Sequence, residues 1–224
     1  MRPRILFAIF ILATCNSYCQ MFISKQNGGY SNYFAFEHIV PTYKYDFEIV
    51  KRSSSDGHAI IGNDYEIICK DTILDSKTID KEIWGIFQDD TLYLNGRIVI
   101  GVKYFIKVEL LGKYSFLRSA YPTKSKIKNE LGISTPWSDP KYEYMHGALG
   151  VTIEGLRNGL PPTSPRVPLI FELQTNKRML LTKLYLMQLL KVNEVLLKEY
   201  EAEPDNTREI ILLNYLNKLN ESLK

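Results

Sequence analysis

The chain has 224 residues and a mass of 25.9 kDa, with 45% hydrophobic, 12% aromatic and 24% charged residues. That balance excludes a disordered chain, a collagen-like repeat and a polytopic membrane protein. Three cysteines exclude a disulfide-dense mini-scaffold, and a net charge of +3 is too small to point to nucleic acid.

The first twenty residues, MRPRILFAIFILATCNSYCQ, read as a secretory signal peptide. Arg2 and Arg4 make the positive start, and Ile5 to Ala13 make an apolar run. That run falls short of the ~20 apolar residues that span a bilayer. Ser17 and Cys19 suit the small-residue positions before a cut, so residues 1–19 leave and Gln20 becomes the new N-terminus. The same stretch has a second reading: Leu12-Ala13-Thr14-Cys15 resembles a lipobox, with Cys15 lipidated and the chain anchored. Thr14 is a poor residue there, and no acidic run follows. Removing Arg2 and Arg4 takes the 28 basic residues to 26 against 25 acidic ones, so the pI of 8.6 says little about partners. Cleavage leaves Cys69, inside Tyr65-Glu66-Ile67-Ile68-Cys69, which reads as a buried inert thiol rather than a nucleophile.

Residues 20–42 form a lead segment, in which Ser31 caps a short helix through Phe36 and Glu37 and Pro41 stops it. Tyr43, Tyr45, Phe47 and Ile49 alternate with polar residues, the period of a half-buried strand. Ser53 to Gly57 is a turn cluster, and Asp64 to Lys70 is a second strand. Ile83 to Leu94 is a hairpin around Gln88-Asp89-Asp90, with Asn95-Gly96 marking another turn. Tyr104 to Glu109 and Tyr114 to Arg118 form the next strand pair, followed by a long loop from Pro122 to Pro140. Gly147, Gly150, Gly155 and Gly159 lead to the breaker run Leu160 to Pro165. Leu169 to Leu173 and Arg178 to Leu181 make a last hairpin around Thr175-Asn176. Thr182 caps one helix, Asn193 starts a second that reaches Glu201, and Leu212, Leu216, Leu219 and Leu223 lie on one face of a third. The pattern predicts an α+β fold: one domain over 43–224, an antiparallel hairpin-rich part over 43–181, then two to three C-terminal helices over 182–224.

Motifs for chemistry are sparse. His38, His58 and His146 lie far apart, and no Cys-x-x-Cys or His-x-x-x-His occurs, so no metal is expected. No P-loop, nucleophile elbow or dinucleotide fingerprint occurs, so no cofactor is expected. Ser125-Lys126-Ile127-Lys128 matches Ser-x-x-Lys without its companion motifs. Asp89-Asp90 reads as a turn, because Asp bonds its own local backbone, rather than as a carboxylate pair. Lys124, Lys126 and Lys128 read as a solvated loop, with Glu130 and Asp139 diluting their field. The Pro162–Pro168 matches to Pro-x-x-Pro read as an extended connector.

Several short motifs in order carry a resemblance: Asn63-Asp64-Tyr65, Lys81-Glu82-Ile83-Trp84, Asp90-Thr91-Leu92-Tyr93-Leu94-Asn95 and Gly112-Lys113-Tyr114-Ser115-Phe116. The stretch from Gly147, the helix with Met187, Leu189 and Leu190, and Tyr215 to Asn220 follow. The order resembles a family of uncharacterised exported proteins of Bacteroidetes, from Tyr43 onward, with Tyr121 to Pro140 departing from it. The resemblance implies a Gram-negative exported location, periplasmic, outer-membrane-associated or secreted, and carries no catalytic residues. Asp71-Thr72-Ile73 and Asp90-Thr91-Leu92 resemble an O-glycosylation sequon of that lineage.

The leading expectation is a non-enzymatic envelope protein that binds a small ligand or an envelope protein, on the strength of 15 Tyr and 10 Phe. Neither nucleic acid nor a membrane-spanning helix in the mature chain is expected. A competing reading is an envelope hydrolase whose site assembles from His58, His146, Asp89 and Glu109. A third is an accessory role through an exposed Leu212–Leu223 face.

Overall fold

The computed structural model describes residues 25–52, 64–71, 74–120, 125–132 and 166–223. The signal peptide with Cys15, Cys19 and Gln20, the Ser53–Gly57 turn, His58, His146 and the glycines from 147 to 159 lie outside the described residues.

Among the described residues nine strands make one antiparallel sheet: β1 Gly28–Tyr30, β2 Phe47–Lys51, β3 Asp64–Cys69, β4 Gly85–Gln88, β5 Thr91–Asn95, β6 Phe105–Leu110, β7 Tyr114–Ala120, β8 Arg166–Glu172 and β9 Lys177–Leu180. Helices are α1 Tyr33–Glu37, α2 Ser76–Glu82, α3 Gly96–Val99, α4 Ser125–Glu130, α5 Lys183–Leu190, α6 Glu194–Glu201 and α7 Glu209–Ser222. The expected α+β class, hairpins followed by C-terminal helices, is what the chain adopts. Among the described residues no helix is long and apolar enough to cross a membrane.

The strand order β1-β4-β5-β6-β7-β8-β9 forks at β6. β5 takes one edge of β6. The other edge is divided: β3 pairs with its start, Tyr65 opposite Phe105 and Asp64 opposite Ile106. β7 pairs with its end, Leu117 opposite Val108 and Phe116 opposite Leu110, with a register shift between. Lys107 sits at the branch point.

Two apolar clusters fill the space on either face of β7 and β8. Leu117, Val167, Leu169 and Phe171 join Tyr30, Phe36, Trp84 and Val99 in one. Phe116 and Ile170 point the other way and meet Leu186, Leu190, Tyr200, Leu212, Leu216 and Leu219 of the C-terminal helices. Period two in the strands thus serves two cores. A third cluster gathers Phe47, Ile67, Cys69, Ile79, Ile83, Ile86 and Phe105 under α2. Cys69 is buried and free, as its apolar run indicates. Each fully buried Leu on α7 stabilises the docked helix by about 2 kcal/mol.

The β4–β5 hairpin closes on Asp89 and Asp90 with φ of 49° and 57°, and Gln88 faces Thr91. Two consecutive left-handed residues are the geometry of a type I′ turn, in which Asp is tolerated. The turn reading of Asp89-Asp90 therefore stands. Asn176, at φ 56°, plays the corresponding part between β8 and β9. Thr182 and Asn193 cap α5 and α6 through the backbone N–H groups of Tyr185 and Leu196.

Several local expectations are corrected. Asn32, not Ser31, caps α1, its side-chain oxygen accepting from the Ala35 N–H at 2.9 Å. Within the expected Pro122–Pro140 loop, residues 125–130 form α4, held by buried Ile127 and by Leu131 just beyond it. β1 and α2 carry no strong period and go unseen in the sequence. Asp75 caps α2 through the Thr78 N–H at 2.7 Å.

Asn95-Gly96 is not a hairpin turn. Asn95 ends β5, and its side chain joins three segments. Its Nδ2 donates to the carbonyls of Asp80 and Ile83 at 2.9 and 2.8 Å, and its Oδ1 accepts from the Arg97 N–H at 3.0 Å. Gly96 is required because an added Cβ would lie 2.3 Å from the Tyr104 carbonyl oxygen. Asn95→Ala strands buried backbone acceptors and removes a cap, so a loss of about 2 kcal/mol is expected in urea unfolding.

α1 ends in a six-residue closure: the Val40 N–H donates to the Ala35 carbonyl and the Ile39 N–H to that of Phe36. The residue held in left-handed conformation is Ile39, at φ 60°. Glycine normally takes this position, because a β-branched side chain crowds the following carbonyl. Ile39→Gly is expected to raise stability by about 1 kcal/mol, net of the greater freedom of glycine in the unfolded chain. A thermal melt that falls instead would show that packing of Ile39 outweighs the strain.

Candidate ligand-binding site

The fork opens a cleft of about 410 Å³, lined by Lys107, Glu109, Arg118 and Arg166. Its residues come from β6, β7 and β8. Lys107 and Glu109 alternate with buried Ile106 and Val108, so they share the face that β5 and β3 extend with Tyr93 and Tyr65. Arg118 stands beside them on β7, one residue past Leu117, which pairs with Val108.

Arg166 closes the wedge where β3 and β7 part. Its Nη2 donates to Asp64 Oδ2 at 2.9 Å and its Nη1 to Asp64 Oδ1 at 3.2 Å. The same Nη1 reaches the Arg118 carbonyl at 3.4 Å. One guanidinium therefore ties the first residue of β3 to the backbone of β7. Asp64 is 2% exposed. Burial pushes its carboxyl above the usual range, and Arg166 and Arg52 pull it back only in part. The Arg52 guanidinium lies 5.0 Å from the centre of the Tyr104 ring. Burial pushes the Tyr104 hydroxyl up to about 12, with Asp64 adding to the effect.

Arg118 holds two carboxylates, Glu109 through Nη1 and Glu209 of α7 through Nη2. Burial works against its charge, but the two glutamates more than restore it, and its pKa stands above the usual value. Glu209 occupies the first turn of α7, where a negative charge also meets the positive end of the helix. Among the described residues Arg118 and Arg166 of the lining thus hold three carboxylates, Asp64, Glu109 and Glu209. Lys107 has no ion-pair partner among the described residues.

Beside this group, the rings of Tyr65 and Tyr93 meet edge to face, with centroids 4.9 Å apart. Tyr93 lies directly across from Lys107. Burial raises the Tyr65 pKa; Arg166 lowers it, and Asp64 and Glu109 raise it, which places this phenol in the field of the cleft.

Of the four residues that a dispersed hydrolase site would draw on, Asp89 and Glu109 lie among the described residues. Glu109 lines the cleft as the partner of Arg118 and Asp89 lies in the β4–β5 turn; His58 and His146 are outside the described residues. His38 stacks on Phe34, with ring centroids 3.9 Å apart. Lys107, Arg118, Arg166, Tyr65 and Tyr93 carry no signal in the sequence beyond ordinary strand alternation. Among the described residues no group of three or more His, Cys, Asp or Glu is placed to hold a metal.

A second concavity, about 660 Å³, lies between the end of α4, β9 and α5, with Leu131, Met179, Leu184 and Met187 in its walls. Of the expected Leu212–Leu223 face, Leu212, Leu216 and Leu219 are buried within the chain and Leu223 at its end is exposed, which leaves an accessory role through that face with little support. A family described as a family of unknown function (DUF6563) matches residues 28–223. No curated protein and no solved structure matches the chain.

Proposed function

We propose, taking as premise that the chain belongs to the family of unknown function DUF6563, that it is an exported cell-envelope protein of a Gram-negative bacterium that binds a polar ligand in the cleft at the fork without transforming it. The observation that carries the binding reading is the convergence of Lys107, Glu109, Arg118 and Arg166 on one open space. These long side chains stand on strands that are packed on both faces, so a rigid framework sets their spacing. Glu109 serves Arg118 as a charge partner. That role favours binding over acid–base work, which needs a carboxyl poised to exchange protons.

The exported location rests on Arg2, Arg4, the Ile5–Ala13 run and the small residues before Gln20. In the producing cell the mature chain is expected to begin at Gln20 and to be recovered from the envelope or medium. An acylated Cys15 at the N-terminus would replace the free form with a lipid-anchored one, and a chain retaining Met1 in the cytoplasm would sink the exported reading.

Binding is tested by passing a small-molecule extract of the producing cell's envelope over the immobilised mature chain and over its Lys107→Ala variant. The expected result is a component, seen by mass spectrometry, that the wild type retains and the variant loses. Identical retention by both overturns the cleft as the binding site.

A further inference from the structure

Resting on that reading of the cleft, we infer that its ligand is a neutral, hydroxyl-rich molecule of the saccharide class rather than an anion. The first argument is charge balance. Among the described residues Lys107, Arg118 and Arg166 line the space with Glu109, and Arg118 already holds Glu109 and Glu209 while Arg166 holds Asp64, so both arginines are neutralised. An incoming phosphate or carboxylate finds Lys107 as its one cation without an ion-pair partner among the described residues; to reach Arg118 it would have to displace a glutamate or sit beside Glu109 at a repulsive cost. A neutral ligand meets neither obstacle.

The second argument is the mixture of donors and acceptors. Lys107 offers an ammonium that is without an ion-pair partner among the described residues. Arg118 has five N–H donors, more than its two carboxylate contacts consume. Glu109 is acceptor-only, with about four lone-pair sites on its two oxygens. A hydroxyl is donor and acceptor at once, so neighbouring hydroxyls on a ring can accept from Lys107 or Arg118 and donate to Glu109 without breaking the Arg118–Glu109 pair.

The third argument is the aromatic pair beside the cleft lining. Tyr93 stands across from Lys107, and Tyr65 meets Tyr93 edge to face on the same side of the sheet. Both rings are partly exposed. A pyranose ring has an apolar C–H face as well as a polar rim, so it matches an aromatic surface bordered by charged hydrogen-bonding groups. The volume of about 410 Å³ lies within the range of ligand sites and has room for one or two such rings.

The test is a titration of the mature chain with sucrose, maltose, lactose and cellobiose, and separately with inorganic phosphate and acetate, read by tyrosine fluorescence and by calorimetry. The expected result is saturable binding of at least one disaccharide, unchanged between low and high salt because no net charge is engaged. Lys107→Ala and Glu109→Gln should each weaken it about tenfold, the loss expected for one hydrogen bond to a charged group. Melting curves will show that both variants remain folded, and Lys107→Ala, which removes no described ion pair, serves if Glu109→Gln does not. Binding of phosphate or acetate alone, weakening steeply with salt, would overturn the saccharide class while leaving the cleft as the site. Binding of no disaccharide, with extract retention still dependent on Lys107, would also overturn the class and keep the site. No disaccharide binding together with retention indifferent to Lys107 would overturn both.

Discussion

Arg166→Met is expected to lower stability by about 3–5 kcal/mol at neutral pH, because it leaves the Asp64 carboxylate buried without its partner. The loss reaches beyond one ion pair. The Arg166 guanidinium also caps the Arg118 carbonyl where β7 leaves β6, so its removal uncovers a backbone acceptor in the wedge. Acidification should restore part of the stability. Asp64 titrates above the usual carboxylate range in the folded chain, so between its ordinary and its raised value the folded state binds more protons than the unfolded one. Stability therefore falls as pH rises through that window and levels off above it. Without Arg166 the carboxyl shifts higher still, and the window extends toward neutrality. Urea unfolding from pH 5 to pH 8 should show a steeper fall for Arg166→Met than for the wild type. The paired replacement Asp64→Asn, Arg166→Met removes both charges and should cost less than Arg166→Met alone. Equal or greater cost for the double variant would mean that packing of the arginine stem, not the stranded charge, governs the loss.

This pair also marks the limit of what the sequence discloses. Asp64 opens a strand whose apolar alternation is easy to read, and Arg166 follows a proline-rich stretch 102 positions away. No period or motif links them; the forked edge of β6 does. The same holds for the cleft. Lys107 and Glu109 alternate with apolar Ile106 and Val108 in the sequence, but only the divergence of β3 and β7 turns their side of the strand into a cavity. Features set by local chemistry are legible. The Asp89-Asp90 turn, the caps Thr182 and Asn193, and the α7 leucine stripe each follow from a few neighbouring residues. Features set by tertiary contact are not. β1 begins with Gly28-Gly29, a poor strand sequence by propensity. Gly28 is there because a Cβ on it would meet Pro41 at 2.8 Å and the Tyr43 carbonyl at 2.9 Å. Asn95-Gly96 reads as a hairpin signal, yet the glycine answers a close approach of the Tyr104 backbone and the asparagine a set of distant carbonyls.

Asn220 gives the second large effect, and its partner is a glycine. From α7 its carboxamide behaves toward Tyr114 as a neighbouring strand would: Nδ2 donates to the Tyr114 carbonyl and Oδ1 accepts from the Tyr114 N–H, both at 2.9 Å. The helix is thereby fixed to the first residue of β7. The amide can approach only because residue 112 has no side chain. A Cβ there would stand 2.4 to 2.7 Å from the Asn220 Cγ, Nδ2 and Oδ1. Asn220→Ala should therefore cost about 3 kcal/mol: two hydrogen bonds are lost, and the Tyr114 N–H and carbonyl are left partly buried without partners. Gly112→Ala should cost a similar amount by a different route, pushing the amide out of register with Tyr114. The decisive result is the cycle. Once Asn220 is alanine the space beside residue 112 is open, so adding Gly112→Ala should cost well under 1 kcal/mol more. Additive losses would show that Gly112 is required by its own backbone, through the reciprocal bonds between its N–H and carbonyl and the Ser115 hydroxyl, rather than by Asn220. Asn220→Asp separates the two halves of the clamp. A carboxylate can still accept from the Tyr114 N–H but repels its carbonyl, so this variant should be less stable than Asn220→Ala at neutral pH and recover on acidification, when the protonated acid can again donate.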